Sequence, residues 1–95
     1  MDIIVEFSKS KKVIMAYFVY ILECSDKTLY TGITTDLKRR VDEHNNSDKG
    51  AKYTKLRRPV KLVYSEKSQD RSSASKREHS IKKMTRVAKM ELIGV

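Results

Sequence analysis

Ninety-five residues make one domain, because a chain below about 100 residues carries apolar surface for a single modest core and no more. Twenty-one Lys and Arg against twelve Asp and Glu leave a net charge of +9, concentrated between Lys38 and Arg86, and an anionic partner is the natural inference. Nucleic acid is favoured over a membrane, since no long apolar segment and no basic amphipathic helix faced with Trp or Phe occurs; the blander alternative is a merely solvated charged surface.

Along the chain, Ile3-Ile4-Val5 precedes the Lys9-to-Lys12 cluster, the reverse of a signal peptide's order. Residues 1–14 are therefore read as an optional N-terminal extension, open to disorder, and 15–95 as the domain. From Tyr17 to Glu23 the chain is apolar and aromatic, and from Thr28 to Ile33 shorter and β-branched, with Ser25-Asp26-Lys27 as a turn. The pattern predicts a β-hairpin in which Phe18, Tyr20 and Leu22 share one face of the first strand and Thr28, Tyr30 and Gly32 one face of the second. Cys24, the single cysteine, lies at the end of the first strand. It excludes an internal disulfide, and with only two His it cannot build a Cys/His zinc site; a reducing cytoplasm fits.

Thr34, Thr35 and Asp36 are good N-caps for a helix from Leu37 to Asn46, ended by Asn45-Asn46-Ser47. A short helix or loop occupies Lys49 to Arg58, and Pro59 admits a third strand, Val60 to Glu66, whose composition suits a sheet with little exposed surface. A last helix is predicted from Asp70 or the Ser72-Ser73 pair to Met84, with a further turn over Val87 to Leu92. The order is β-β-α-(α)-β-α, with no internal repeat.

Two helical positions break the apolar pattern. At 100° per residue, Leu37, Val41 and His44 fall within about 60° of one another with Arg40 at the edge of the stripe, so Arg40 faces the sheet and Arg39 faces water. A snorkelling arginine is the alternative reading. On the last helix Ala74, Glu78, Ile81 and Thr85 form one stripe with Glu78 in its centre, where an unpaired carboxylate is costly and calls for an arginine or a divalent cation as partner. Taken together, Tyr20, Tyr30, Arg40, His44 and Glu78 are expected to converge on one side of the sheet. They form an inventory suited to phosphodiester cleavage: hydroxyls to orient or deprotonate water, a carboxylate for Mg²⁺, and a guanidinium for charge on phosphate. Lys49, Lys52, Tyr53, Lys55, Arg57 and Arg58 interleave cations with one aromatic ring, as expected of a strand-gripping segment.

These residues resemble the GIY-YIG endonuclease family, whose two strand motifs here read Phe18-Val19-Tyr20 and Tyr30-Thr31-Gly32. The likeness spans about residues 16–86, and the runs Phe18 to Leu22, Leu29 to Arg40, Gly50 to Thr54 and Arg58 to Tyr64 look like its small, single-domain bacterial branch. The resemblance implies an α/β sandwich with a three-stranded, mostly antiparallel sheet flanked by helices. Tyr20 and Tyr30 match the motif tyrosines, Arg40 the helix arginine, His44 a histidine one turn on, and Glu78 the metal-binding glutamate. Phe18 and Thr31 depart from the motif, and the family's late asparagine is not placed. The implied activity is Mg²⁺- or Mn²⁺-dependent DNA hydrolysis, with RNA left open, selective for nucleic-acid structure because no separate recognition domain is attached. The competing reading is a non-catalytic nucleic-acid-binding module on the same scaffold.

Overall fold

A computed structural model describes residues 16–95; the expectation for residues 1–14 lies outside the described residues. β1 (Tyr17–Glu23) is central, with β2 (Leu29–Thr34) and β3 (Lys61–Ser68) antiparallel on either side. The centre goes to β1 because its side chains are apolar on both faces: Val19 and Ile21 are buried one way, Tyr20 and Leu22 the other. The β1–β2 turn is closed by Asp26, whose carboxylate accepts from the amide and hydroxyl of Thr28, while Lys27 takes a left-handed φ of 72°. Tyr20 then stands opposite Gly32, and Leu22 opposite Tyr30, so the predicted face-sharing holds.

Helices cover both faces. α1 (Leu37–Asn46) is capped by Asp36, whose carboxylate accepts from Arg39 N at 3.0 Å. Its Leu37 and Val41 pack on the Tyr20–Leu22 face, with the short α2 (Lys52–Lys55) beside it. α3 (Arg71–Lys82), capped by Asp70, buries Ala74 and Ile81 against Val19 and Ile21 on the opposite face. α4 (Arg86–Ile93) adds Leu92 and Ile93 there. The fold is the expected sandwich.

The C-terminal end of α1 is tied down three ways. Arg58 donates to the carbonyls of His44 (2.6 Å) and Ser47 (2.7 Å), supplying partners that a helix end lacks. The Asn45 side chain accepts from Val60 N and donates to Val60 O. Gly50 lets the following loop lie against the helix: a Cβ there would stand 2.7 Å from Glu43 O.

The pattern misjudged three features. β3 is an edge strand that leaves Leu62 exposed, and the buried Val60 lies just before it. α3 stops at Lys82, so Thr85 belongs to α4 as its cap, accepting from Ala88 N. α4 is a full helix closed by Gly94 in the left-handed region, at φ 98°. Among the described residues, no helix is long and apolar enough to cross a membrane.

Ile81 is fully buried whereas Leu56 is 88% exposed. Ile81→Ala should cost about 2–5 kcal/mol in denaturant unfolding, and Leu56→Ala about 0.5 kcal/mol or less; equal losses would contradict the packing described.

Candidate active site

Tyr20 and Gly32 form the floor of the site. Tyr20 leans from β1 across to β2, and its ring occupies the space a side chain at position 32 would need: a Cβ there would lie 2.5 Å from Tyr20 Oη. The glycine of the Tyr30-Thr31-Gly32 run is thus required by the neighbouring tyrosine. Tyr20 is 1% exposed.

A directed hydrogen-bond chain leads away from its hydroxyl. Tyr20 Oη lies 2.8 Å from His44 Nε2, His44 Nδ1 lies 2.8 Å from Thr54 Oγ1, and Thr54 Oγ1 lies 2.9 Å from Ala51 O. A carbonyl only accepts, so the Thr54 hydroxyl must donate to Ala51, and its oxygen is left to accept from His44 Nδ1–H. The ring is fully buried, and burial, helped by the Arg40 guanidinium, lowers its pKa to about 4. His44 is therefore neutral near pH 7, with Nε2 bare to accept the Tyr20 proton. Burial also pushes Tyr20 up to about 12; the Arg40 guanidinium opposes the shift, while Tyr30 and Glu78 add to it. A fully buried His44 suits a relay and not a direct phosphate contact.

Arg40 and Tyr30 complete this side. As the helical arithmetic predicts, the Arg40 side chain is 24% exposed against 55% for Arg39. Its Nη1 donates to Glu43 Oε1 (2.9 Å) and Lys49 O (2.8 Å), which pins the guanidinium beside Tyr20. Tyr30 meets the His44 ring edge-on at 5.2 Å and stacks on Tyr53 at 6.1 Å, with Arg57 over the outer face of Tyr53 at 3.8 Å.

Glu78 does not share the face of the other four. It comes from α3, across the sheet, where it stands between the buried Ala74 and Ile81 with its side chain 22% exposed. It pairs with Lys82, one turn on, at 3.2 Å, in place of the arginine or divalent cation that its position calls for; the neighbouring Arg77 pairs with Glu66 instead. Its charge nevertheless acts on the Tyr20 hydroxyl. Among the described residues no three His, Cys, Asp or Glu gather to hold a metal. A solvent-reachable carboxylate still fits Mg²⁺, which is commonly bound through one or two carboxylates with water and substrate phosphate completing the shell.

The basic segment divides. Lys49, Lys52 and Lys55 are exposed, as is Tyr53 at 38%. Arg57 is engaged by Asp26 at 3.1 Å and by Tyr53, and Arg58 by the end of α1. The pattern of the sequence missed Thr54, whose only local sign is a small hydroxyl amid cations after Gly50.

A model of the GIY-YIG catalytic domain matches residues 16–91. The chain belongs to this family. Nuclease activity is the family's chemistry, and nucleic acid its substrate. Among similar GIY-YIG chains is a UPF0213 protein of Desulfotalea psychrophila, 59% identical over 78 residues, which cover 82% of this chain and 71% of that one. A UPF0213 protein of Staphylococcus aureus is 54% identical over 78 residues, covering 82% of this chain and 94% of its own. Two solution NMR structures are also similar. The UPF0213 protein of Bacillus halodurans aligns with a TM-score of 0.54 at 43% identity over 83% of each chain, and a protein of E. faecalis with 0.57 at 46% over 80% of each. This GIY-YIG domain thus shares its α/β fold with small single-domain bacterial proteins.

The His44 shift has a sign that can be checked. An unfolded imidazole binds its proton near pH 6.5 and the folded one near 4, so between those values the unfolded state holds more protons. The stabilisation is complete above about pH 6.5 and is lost as pH falls through 4, with a size on the order of 3 kcal/mol. NMR titration of the His44 ring should give a midpoint near 4; a midpoint at 6.5 or above would contradict the buried neutral ring.

Proposed function

We propose that this protein is a metal-dependent endonuclease that hydrolyses DNA phosphodiester bonds, selecting nucleic-acid structure over sequence. The observation that carries the reading is the buried Tyr20–His44–Thr54 hydrogen-bond chain, with the Arg40 guanidinium held on the same side by Glu43 and the Lys49 carbonyl.

In this reading Glu78 is the residue that would hold a Mg²⁺ or Mn²⁺ ion, and when bound the ion supplies charge to the phosphate and acidity to water. Water attacks phosphorus in line, and the bond to the leaving oxygen breaks. Tyr20 is favoured over Tyr30 as the group that takes the water's proton, because Tyr20 alone of the two has a built acceptor for its own. As its oxygen gains the water's proton, its phenolic proton passes to His44 Nε2, so the phenol never has to exist as a free phenolate of pKa about 12. The resulting imidazolium is held by Thr54 through Nδ1–H. Arg40 counters charge on the phosphate, and in doing so its own depressing effect on His44 is offset. Tyr30 packs the imidazole edge-on and orients the water.

Lys49, Lys52 and Lys55 supply contacts to phosphate beside the Tyr30–Tyr53–Arg57 stack. Such contacts position a strand without reading sequence. DNA is the substrate chosen, and RNA is the alternative in the same assay.

Glu78→Gln should abolish Mg²⁺- and Mn²⁺-dependent cleavage while leaving fold and oligonucleotide binding intact. Tyr20→Phe should slow cleavage by about 10²- to 10⁴-fold. Labelled single-stranded, duplex and branched DNA, each with metal or EDTA, provides the measurement. Cleavage by the Glu78 variant would remove the mechanism, and metal-independent binding without cleavage by the wild type would replace it with a binding module.

A further inference from the structure

β2 and β3 both run antiparallel to β1, so both deliver the chain to the end of the sheet where β1 begins: Thr34 lies opposite Phe18, and Ser68 opposite Tyr17. Shortly beyond those residues α1 starts at Leu37 and α3 at Arg71. Two helix N-termini therefore meet one end of the sheet from opposite faces, although neither helix has a carboxylate in its first turn. A groove of about 440 Å³ opens between them, lined by Tyr17, Thr35, Arg39, Arg40, Glu43 and Arg71 among others.

The charge of this groove is one-sided. Three guanidinium groups face one carboxylate, Glu43, which Arg40 holds at 2.9 Å and Arg39 at 3.6 Å. Arg71 has no carboxylate within ion-pair distance among the described residues. The nearby acids Asp36 and Asp70 are occupied in capping α1 and α3, and the positive ends of both helices add to the field. The groove is continuous with the candidate active site through Arg40, which lines it and whose charge acts on both Tyr20 and His44.

We propose that this groove is a second phosphate-binding track, in which Arg39 and Arg71 grip the backbone of the substrate strand on the side of the scissile phosphate away from Tyr53. It rests on the nuclease reading above and extends it: the strand runs from the Arg39–Arg71 groove, past Arg40 and Tyr20, to the Tyr30–Tyr53 side. Tyr30 and Tyr53 line a separate hollow of about 260 Å³ with Lys82 and Lys89, so cations flank the reacting group on both sides. The two tracks differ in chemistry. On the Tyr53 side the ring faces are taken by Tyr30 and Arg57 and lysines supply the charge, whereas the Arg39–Arg71 groove offers mainly guanidinium groups and hydroxyls, which suit phosphate and carry no sequence information.

The test is the salt dependence of binding, measured by fluorescence anisotropy of short labelled single-stranded and duplex DNA in EDTA, for the full chain. The double variant R39Q/R71Q should lower the slope of log affinity against log salt by about 1 to 2, one phosphate contact per arginine. The charge-keeping variant R39K/R71K should retain the wild-type slope, and K61Q/K67Q, which removes equal charge from β3 at the other edge of the sheet, should change it by less. In steady-state cleavage R39Q/R71Q should raise KM and leave kcat near the wild-type value. A slope for R39Q/R71Q equal to that of K61Q/K67Q would overturn the track while leaving the nuclease reading in place. Wild-type protein that binds neither DNA form would overturn both.

Discussion

The buried contact between Tyr20 Oη and His44 Nε2 is the constraint on which the rest of the molecule depends. An unpaired phenol or imidazole at that depth would cost a substantial fraction of a small domain's stability, so every group around it is arranged to satisfy it. Gly32 gives up its side chain to admit the Tyr20 ring. Thr54 arrives on α2 to accept from the imidazole Nδ1–H, and α2 is held there because Gly50 and Arg58 bind its flanking loops to the end of α1. Neither partner of the pair is solvent-exposed, yet the chain they form has a direction, each group donating inward from the Tyr20 hydroxyl to the Ala51 carbonyl.

That direction links structure to chemistry. A tyrosine whose pKa lies near 12 is a poor base if it must first lose its proton to solvent, and a histidine with a pKa near 4 is a poor base if it must act alone. In the reaction proposed above the two are coupled and move a proton without either holding charge for long, with a phosphate relieving the field of Arg40. The perturbations that look unfavourable in the resting protein are those expected of a site waiting for an anion. The basic segment is itself divided: the lysines of 49–55 are exposed, while Arg57 and Arg58 are consumed by intramolecular contacts that hold the scaffold.

Much of this could be read before any coordinates. The apolar run of β1 predicted its limits, Tyr17–Glu23, without error, and Asp36 marked the start of α1. The 100° spacing of α1 separated Arg40 from Arg39 correctly, because it concerns one helix and one face. It failed for Glu78, since periodicity gives a side chain's direction about its own helix and not the layer on which that helix packs; α3 lies across the sheet. It also ran through Thr85, because a stripe carries no signal for a cap that starts a new helix. Thr54 was illegible for another reason. Its partner is ten residues away through a loop whose path is set by Gly50 and Arg58, and no local pattern encodes that approach.

The protonation state of the His44 ring at neutral pH is the most direct test of the central claim, and long-range nitrogen–proton NMR correlations of uniformly ¹⁵N-labelled protein read it. A neutral ring with its proton on Nδ1 and a bare Nε2 accepting from Tyr20 is the predicted result. A proton on Nε2, or an imidazolium, would reverse the chain and contradict the account.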